Sequence, residues 1–179
     1  MSPGRASGLA GSVAFVLCVL ASVLLLAPAR SARIPDGQNV FNGYAMGGPL
    51  SRYPALQKVK SWTTEFVKEV GLYENPGEET VLNGVSFGKA RYRFADGQLE
   101  SIDLTYTGRE NRDKLMRWLE ERYGKLIPAE RKMVTQVEWH GDVMAITLSY
   151  NHAANKGTLF VASPELHHRI HKSIASMTD

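Results

Sequence analysis

The stretch Tyr92-Arg93-Phe94-Ala95-Asp96-Gly97-Gln98-Leu99-Glu100-Ser101-Ile102-Asp103-Leu104-Thr105-Tyr106 decides the fold. Tyr92 and Phe94 alternate with Arg91 and Arg93, and Ile102, Leu104 and Tyr106 alternate with Asp103 and Thr105. Each run therefore has the two-residue period of a half-buried strand. Asp96-Gly97 between them is a favoured pair for a tight hairpin, because both central residues of that turn need positive φ. The alternation reaches back to Val85 and Phe87, with a slip near Gly88 that predicts a bulge there.

Downstream, Asn111 to Tyr123 reads as an amphipathic helix with Leu115, Met116, Trp118, Leu119 and Tyr123 on one face. Glu110/Lys114, Asp113/Arg117 and Glu121/Lys125 are i,i+4 pairs with the acid first, and Gly124 is placed to end the helix. Three strands follow, Met133–Trp139, Val143–Tyr150 and Thr158–Ala162, the first two joined by a turn at His140-Gly141-Asp142. Ser163 before Pro164 starts a last helix, lined on one side by Leu166, Ile170, Ile174 and Met177. The expected class is α+β, a mostly antiparallel sheet in ββαβββα order with its helices packed on one face. Trp118 and Trp139 are expected at the helix–sheet contact.

Upstream, Lys58 to Tyr73 reads two ways. Val59, Trp62, Phe66 and Val70 fit a helical stripe, while the β-branched and aromatic content favours a strand over Val67–Tyr73, the reading adopted here. Residues 30–48 read as a flexible lead-in ahead of a single domain over 49–179, with Gly37, Gly43, Gly47 and Gly48 loosening it. No Gly-Lys-Ser/Thr follows these glycines, so a phosphate loop is excluded. Phe41, Tyr44 and Met46 are the binding candidates in this segment. Aromatic and Met side chains on a mobile arm can order on a partner, or they can cover a flank of the core.

The first 29 residues hold no acid and one charge, Arg5; an apolar run from Val13 to Leu26 then precedes Ala27-Pro28-Ala29. This is the three-part pattern of a secretory signal, and the run is short for a membrane-spanning helix. The expectation is cleavage after Ala29, no membrane span thereafter, and a periplasmic or extracellular protein. Cleavage removes Cys18, the single cysteine of the 179 residues, which excludes a disulfide scaffold. It also removes Arg5 and so lowers the net charge from +3 by one, too little to imply a polyanionic partner. Arg91 and Arg93 face away from Tyr92 and Phe94, which argues against a nucleic-acid surface of interleaved cations and rings.

Two constellations carry candidate chemistry. His167 and His171 are i,i+4 on the last helix, a spacing that can chelate a metal. They fall on the solvent flank of the apolar stripe and lack the Glu of a His-Glu-x-x-His motif. His140 and Asp142 would make a general-base pair, although the same residues are ordinary turn chemistry. Gly-x-Ser-x-Gly is absent, and no cofactor is implied. The reading is a non-catalytic binding module for an extracytoplasmic protein or small ligand. The alternative is a small hydrolase or metal-binding protein using His140/Asp142 or His167/His171.

Tyr92-Arg93-Phe94 before Asp96-Gly97-Gln98-Leu99, Arg122-Tyr123-Gly124 closing a helix, and Glu138-Trp139 before a glycine turn resemble a group of small secreted bacterial proteins of uncharacterised function. The resemblance spans Gly84 to Ser163, about half the chain. It implies an exported α+β domain and carries over no catalytic residue.

Overall fold

Asp96 and Gly97 both take positive φ, 48° and 78°, as a type I′ turn requires. The turn joins two strands of a seven-stranded antiparallel sheet. The computed structural model describes residues 32–77, 79–131 and 135–175, with side chains as far as 172. The expected signal, the head of the strand at Met133, and the Ile174 and Met177 side chains lie outside the described residues. Among the described residues, no helix is long and apolar enough to cross a membrane.

In chain order the elements are β1 (Val40–Phe41), β2 (Tyr44–Ala45), a 3-10 turn at Leu50–Arg52, β3 (Gln57–Trp62), β4 (Val70–Glu74), β5 (Val81–Leu82), β6 (Val85–Ser86), β7 (Ala90–Ala95) and β8 (Gln98–Thr107). They continue with α1 (Arg109–Tyr123), α2 (Pro128–Arg131), β9 (Gln136–His140), β10 (Ala145–Asn151), β11 (Lys156–Ala162) and α3 (Pro164–Ala175). The sheet runs β3-β4-β7-β8-β11-β10-β9, and β1–β2 and β5–β6 are separate small hairpins.

The mostly antiparallel expectation holds, with three helices among the described residues, but the sheet is larger than ββαβββα. Residues 57–74 supply two further strands, β3 and β4, and their apolar side chains lie on a sheet rather than a helical stripe. Val85 does not extend the central hairpin either; it pairs across β5–β6 with Leu82. The expected bulge moves as well. At Gly88 the chain steps between β6 and β7, whereas the register slips where Arg93 faces Ser101 and Phe94 faces Leu99, leaving Glu100 as the extra residue.

One face of the sheet forms the main core. Tyr92, Phe94, Ile102, Leu104, Leu148, Leu159, Val161 and Trp139 are buried there with Leu115, Leu119 and Tyr123 of α1. Alternation along β11 turns Phe160 to the opposite face from Leu159 and Val161. The ring of His167 in α3 meets Phe160 at 5.5 Å, and Ile170 of α3 clusters with Val67, Val70 and Ala95. The helices therefore lie on opposite faces, which corrects the one-face expectation. The physical reason is occupancy: α1, residues 32–53 and the β5–β6 hairpin already fill the first face, so α3 closes on the second.

The capping reading of α3 is present, with Leu166 N–H reaching Ser163 Oγ at 3.5 Å. Gly124 ends α1, its N–H donating to the Glu120 carbonyl. Of the expected i,i+4 pairs, Glu110–Lys114 forms at 2.8 Å, while Asp113 takes its neighbour Arg112 at 3.1 Å.

Candidate functional site

Glu100 shows why the second face is chemically different from the first. A bulge sends two successive residues the same way, so Glu100 and Ser101 both turn under α3, and Glu100 is fully buried. A buried carboxylate is costly without partners, and here it has three. Ser101 Oγ donates to Oε2 at 2.5 Å, His167 Nδ1 lies 2.5 Å from Oε1, and Arg93 Nη1 stands 3.5 Å from Oε2. The Glu100 carbonyl also accepts the Ser163 N–H at 2.8 Å, which ties the start of α3 to β8. Arg169, on the outer side of α3, reaches Asp96 at 3.1 Å and pins the helix to the β7–β8 turn.

Beside α3 this arrangement opens a groove of about 420 Å³. Its floor is Ala145, Thr147, Phe160 and Ala162, the outward-facing residues of β10 and β11. Its walls carry His140 and Glu138 of β9 and His167, His168 and His171 of α3. Four of the five histidines of the chain thus line one groove. The rings of His167 and His171 lie 4.2 Å apart, as i,i+4 neighbours on a helix do. Burial lowers the pKa of His171 below 6.5; the adjacent His167 lowers it further, Glu100 opposes this, and Arg93 adds to the lowering. His171 is accordingly neutral at pH 7.

A wider hollow of about 670 Å³ lies toward the far end of the same face, over Thr105, Ser149 and Thr158 with His152 and Lys156 at its rim. Its floor is a row of hydroxyls on an open sheet. The α3 groove is the stronger candidate, because titratable groups from two elements converge there and one of them is held by a buried carboxylate.

The other sequence candidates fare differently. His140 and Asp142 are not brought together as a general-base pair: His140 Nε2 lies 3.1 Å from Glu138 Oε2, while Asp142 Oδ1 accepts from Arg33 at 3.3 Å. His140 nevertheless enters the groove from its own strand. His167 and His171 do share a side of α3, but His167 is only partly exposed because Glu100 draws it onto the sheet. Among the described residues, no three His, Cys, Asp or Glu side chains meet in a group that could enclose a metal.

Phe41, Tyr44 and Met46 sit in or against the main core. Phe41 and Met46 are buried, with Phe41 edge-on to Trp118 at 6.0 Å, and Tyr44 packs 4.6 Å from Tyr92. Residues 32–46 also contribute Ala32 and Ile34 to that core, and Ile34 N–H bonds the His140 carbonyl at 2.8 Å. The segment covers a flank of the domain: Phe41 and Met46 are enclosed, Tyr44 is half-buried, and Val40 stays exposed. Phe41→Ala is expected to cost about 3 kcal/mol. A thermal melt checks this, since an exposed arm would leave melting unchanged.

Glu100 escaped the sequence reading. The available signal was a Glu between Leu99 and Ser101 in an otherwise alternating strand, which without a bulge reads as an ordinary solvent-facing position. Glu120 was also hidden: it is buried in α1, where it accepts from Leu126 N–H at 3.2 Å and pairs with Arg131.

No protein-family model, curated protein or solved structure matches the chain.

Proposed function

We propose that this chain is an exported, non-catalytic binding module that takes a small ligand in the groove between α3 and the β9–β11 part of the sheet. The observation that carries the reading is the gathering of four of the five histidines around one apolar-floored groove. The opposite face supports it by contrast, being filled with core side chains from α1 and residues 32–53. A concave site with a small apolar floor and a few convergent polar groups is the usual form of a ligand pocket. The tripartite pattern of Met1–Ala29 supports export, and the resemblance to secreted bacterial proteins agrees with it.

Two measurements test this. Intact mass of the protein recovered outside the cytoplasm is expected to correspond to a chain starting at Arg30; a chain still starting at Met1 contradicts export. Fragment screening by NMR on labelled protein is expected to perturb Thr147, Phe160 and the α3 histidines, and Ala145→Trp, which fills the groove, is expected to abolish those shifts. Perturbations confined to the Thr105–Thr158 hollow would place the site elsewhere.

The buried Glu100–His167 pair favours a second reading, a hydrolase in which an oriented imidazole acts as general base. It predicts turnover of an activated ester that is lost in His167→Ala and retained in His140→Ala.

A further inference from the structure

We propose that His167 and His171, backed by the buried Glu100, form a binding site for a tetragonal divalent ion of the Cu²⁺ type, with the remaining coordination positions open to the groove. The inference rests on the groove being the ligand site and names the class of ligand.

Three observations converge on it. First, Glu100 accepts at Nδ1 of His167, at 2.5 Å. With Nδ1 engaged by Glu100, Nε2 is the ring nitrogen left to bind an ion at the groove. A carboxylate–imidazole relay of this kind orients metal-binding histidines and raises their basicity. Second, the His167 ring is fixed from the side by Phe160, edge-to-face at 5.5 Å, so the ligand is held before any ion arrives.

Third, the spacing selects a geometry. With metal–nitrogen distances of about 2.1 Å, imidazoles bound at a right angle have ring centres about 4.6 Å apart, and at the tetrahedral angle about 5.3 Å. The observed 4.2 Å is shorter than both and closer to the right-angle value. Right-angle nitrogen ligation marks square-planar or tetragonal Cu²⁺ and Ni²⁺ rather than tetrahedral Zn²⁺, and the intrinsic affinity order places Cu²⁺ above Ni²⁺. Since no three ligating side chains converge among the described residues, the chain supplies two ligands, and water or a groove-bound molecule supplies the others.

The test is a titration of the full, untagged chain with Cu²⁺ at neutral pH, followed by calorimetry and electron paramagnetic resonance. One ion per chain is expected, with a tetragonal spectrum showing coupling to two imidazole nitrogens. His171→Ala and His167→Ala are each expected to weaken binding at least tenfold. Glu100→Gln is expected to weaken it 10- to 100-fold, the range for removal of such an orienting partner. His152→Ala, at the other end of the sheet, is expected to leave binding unchanged. Circular dichroism shows whether Glu100→Gln still folds; His171 is exposed, so His171→Ala decides the question even where that variant fails. The inference is overturned by Zn²⁺ binding tighter than Cu²⁺, by equal losses in His152→Ala and His171→Ala, or by no stoichiometric binding. In the last case, fragment shifts that remain sensitive to Ala145→Trp would leave the groove reading standing without the metal. Their absence as well would sink both.

Discussion

Trp139→Ala is expected to lower the melting temperature by roughly 10–15 °C, the shift that a loss of about 3–5 kcal/mol produces in a domain of this size. Trp139 is fully buried in β9, among the largest enclosed side chains of the core. Its indole Nε1–H donates to the Gly124 carbonyl at 2.8 Å, at the point where α1 ends. Truncation thus opens a cavity and also leaves a carbonyl at a helix terminus without its donor, and both effects destabilise. β9 is the last strand of the sheet, and this bond ties that edge to the end of α1. Trp139→Phe separates the two contributions, since it keeps most of the volume and loses only the hydrogen bond; an intermediate melting temperature is expected. Trp118→Ala is expected to cost less, because Trp118 is half-buried and packs on Phe41 and Tyr123 at the margin of the core. Differential scanning calorimetry of the three variants checks the order. A Trp139→Ala protein melting within about 2 °C of wild type would contradict the placement of this residue.

Gly157→Ala is expected to destabilise by about 3 kcal/mol, at the upper end for overpacking. A Cβ built on Gly157 would stand 2.2 Å from Tyr106 Cζ and 2.5 Å from the Ser149 carbonyl oxygen. Neither neighbour is free to withdraw. The Tyr106 hydroxyl donates to that same Ser149 carbonyl at 2.7 Å, and the ring stacks over Tyr150 at 6.3 Å. β11 lies between β8 and β10, so backbone movement would disturb two ladders. The Tyr106→Leu background tests the cause: removing the ring is expected to recover more than 1 kcal/mol of the Gly157→Ala penalty, a coupling typical of residues in contact. Strict additivity in denaturant melts would show that the clash is not with Tyr106.

How much of this was legible depends on the range of the forces involved. The β7–β8 hairpin could be read because its information is local: a period of two and an Asp-Gly pair whose backbone preference belongs to the residues themselves. The α1 stripe and the Gly124 stop were legible for the same reason. Residues 57–74 were ambiguous because Val59, Trp62, Phe66 and Val70 fit a helical stripe while the β-branched and aromatic content favours a strand. Only pairing of β4 with β7 selects the strand. The histidine spacing on α3 was visible, but its meaning was not, since the carboxylate that organises it lies 67 residues away along the chain.

The amino-acid sequence by itself determined the mostly antiparallel sheet, the central hairpin, the apolar stripe and Gly124 stop of α1, the capped start of α3 and the i,i+4 histidine pair. All of these rest on preferences of neighbouring residues. Tertiary structure alone decided the face on which α3 lies, the docking of residues 32–46 into the core, and the bulge that buries Glu100 beneath His167. Each of those outcomes depends on which surface is already filled when two distant segments meet, a competition for buried area that no local pattern records.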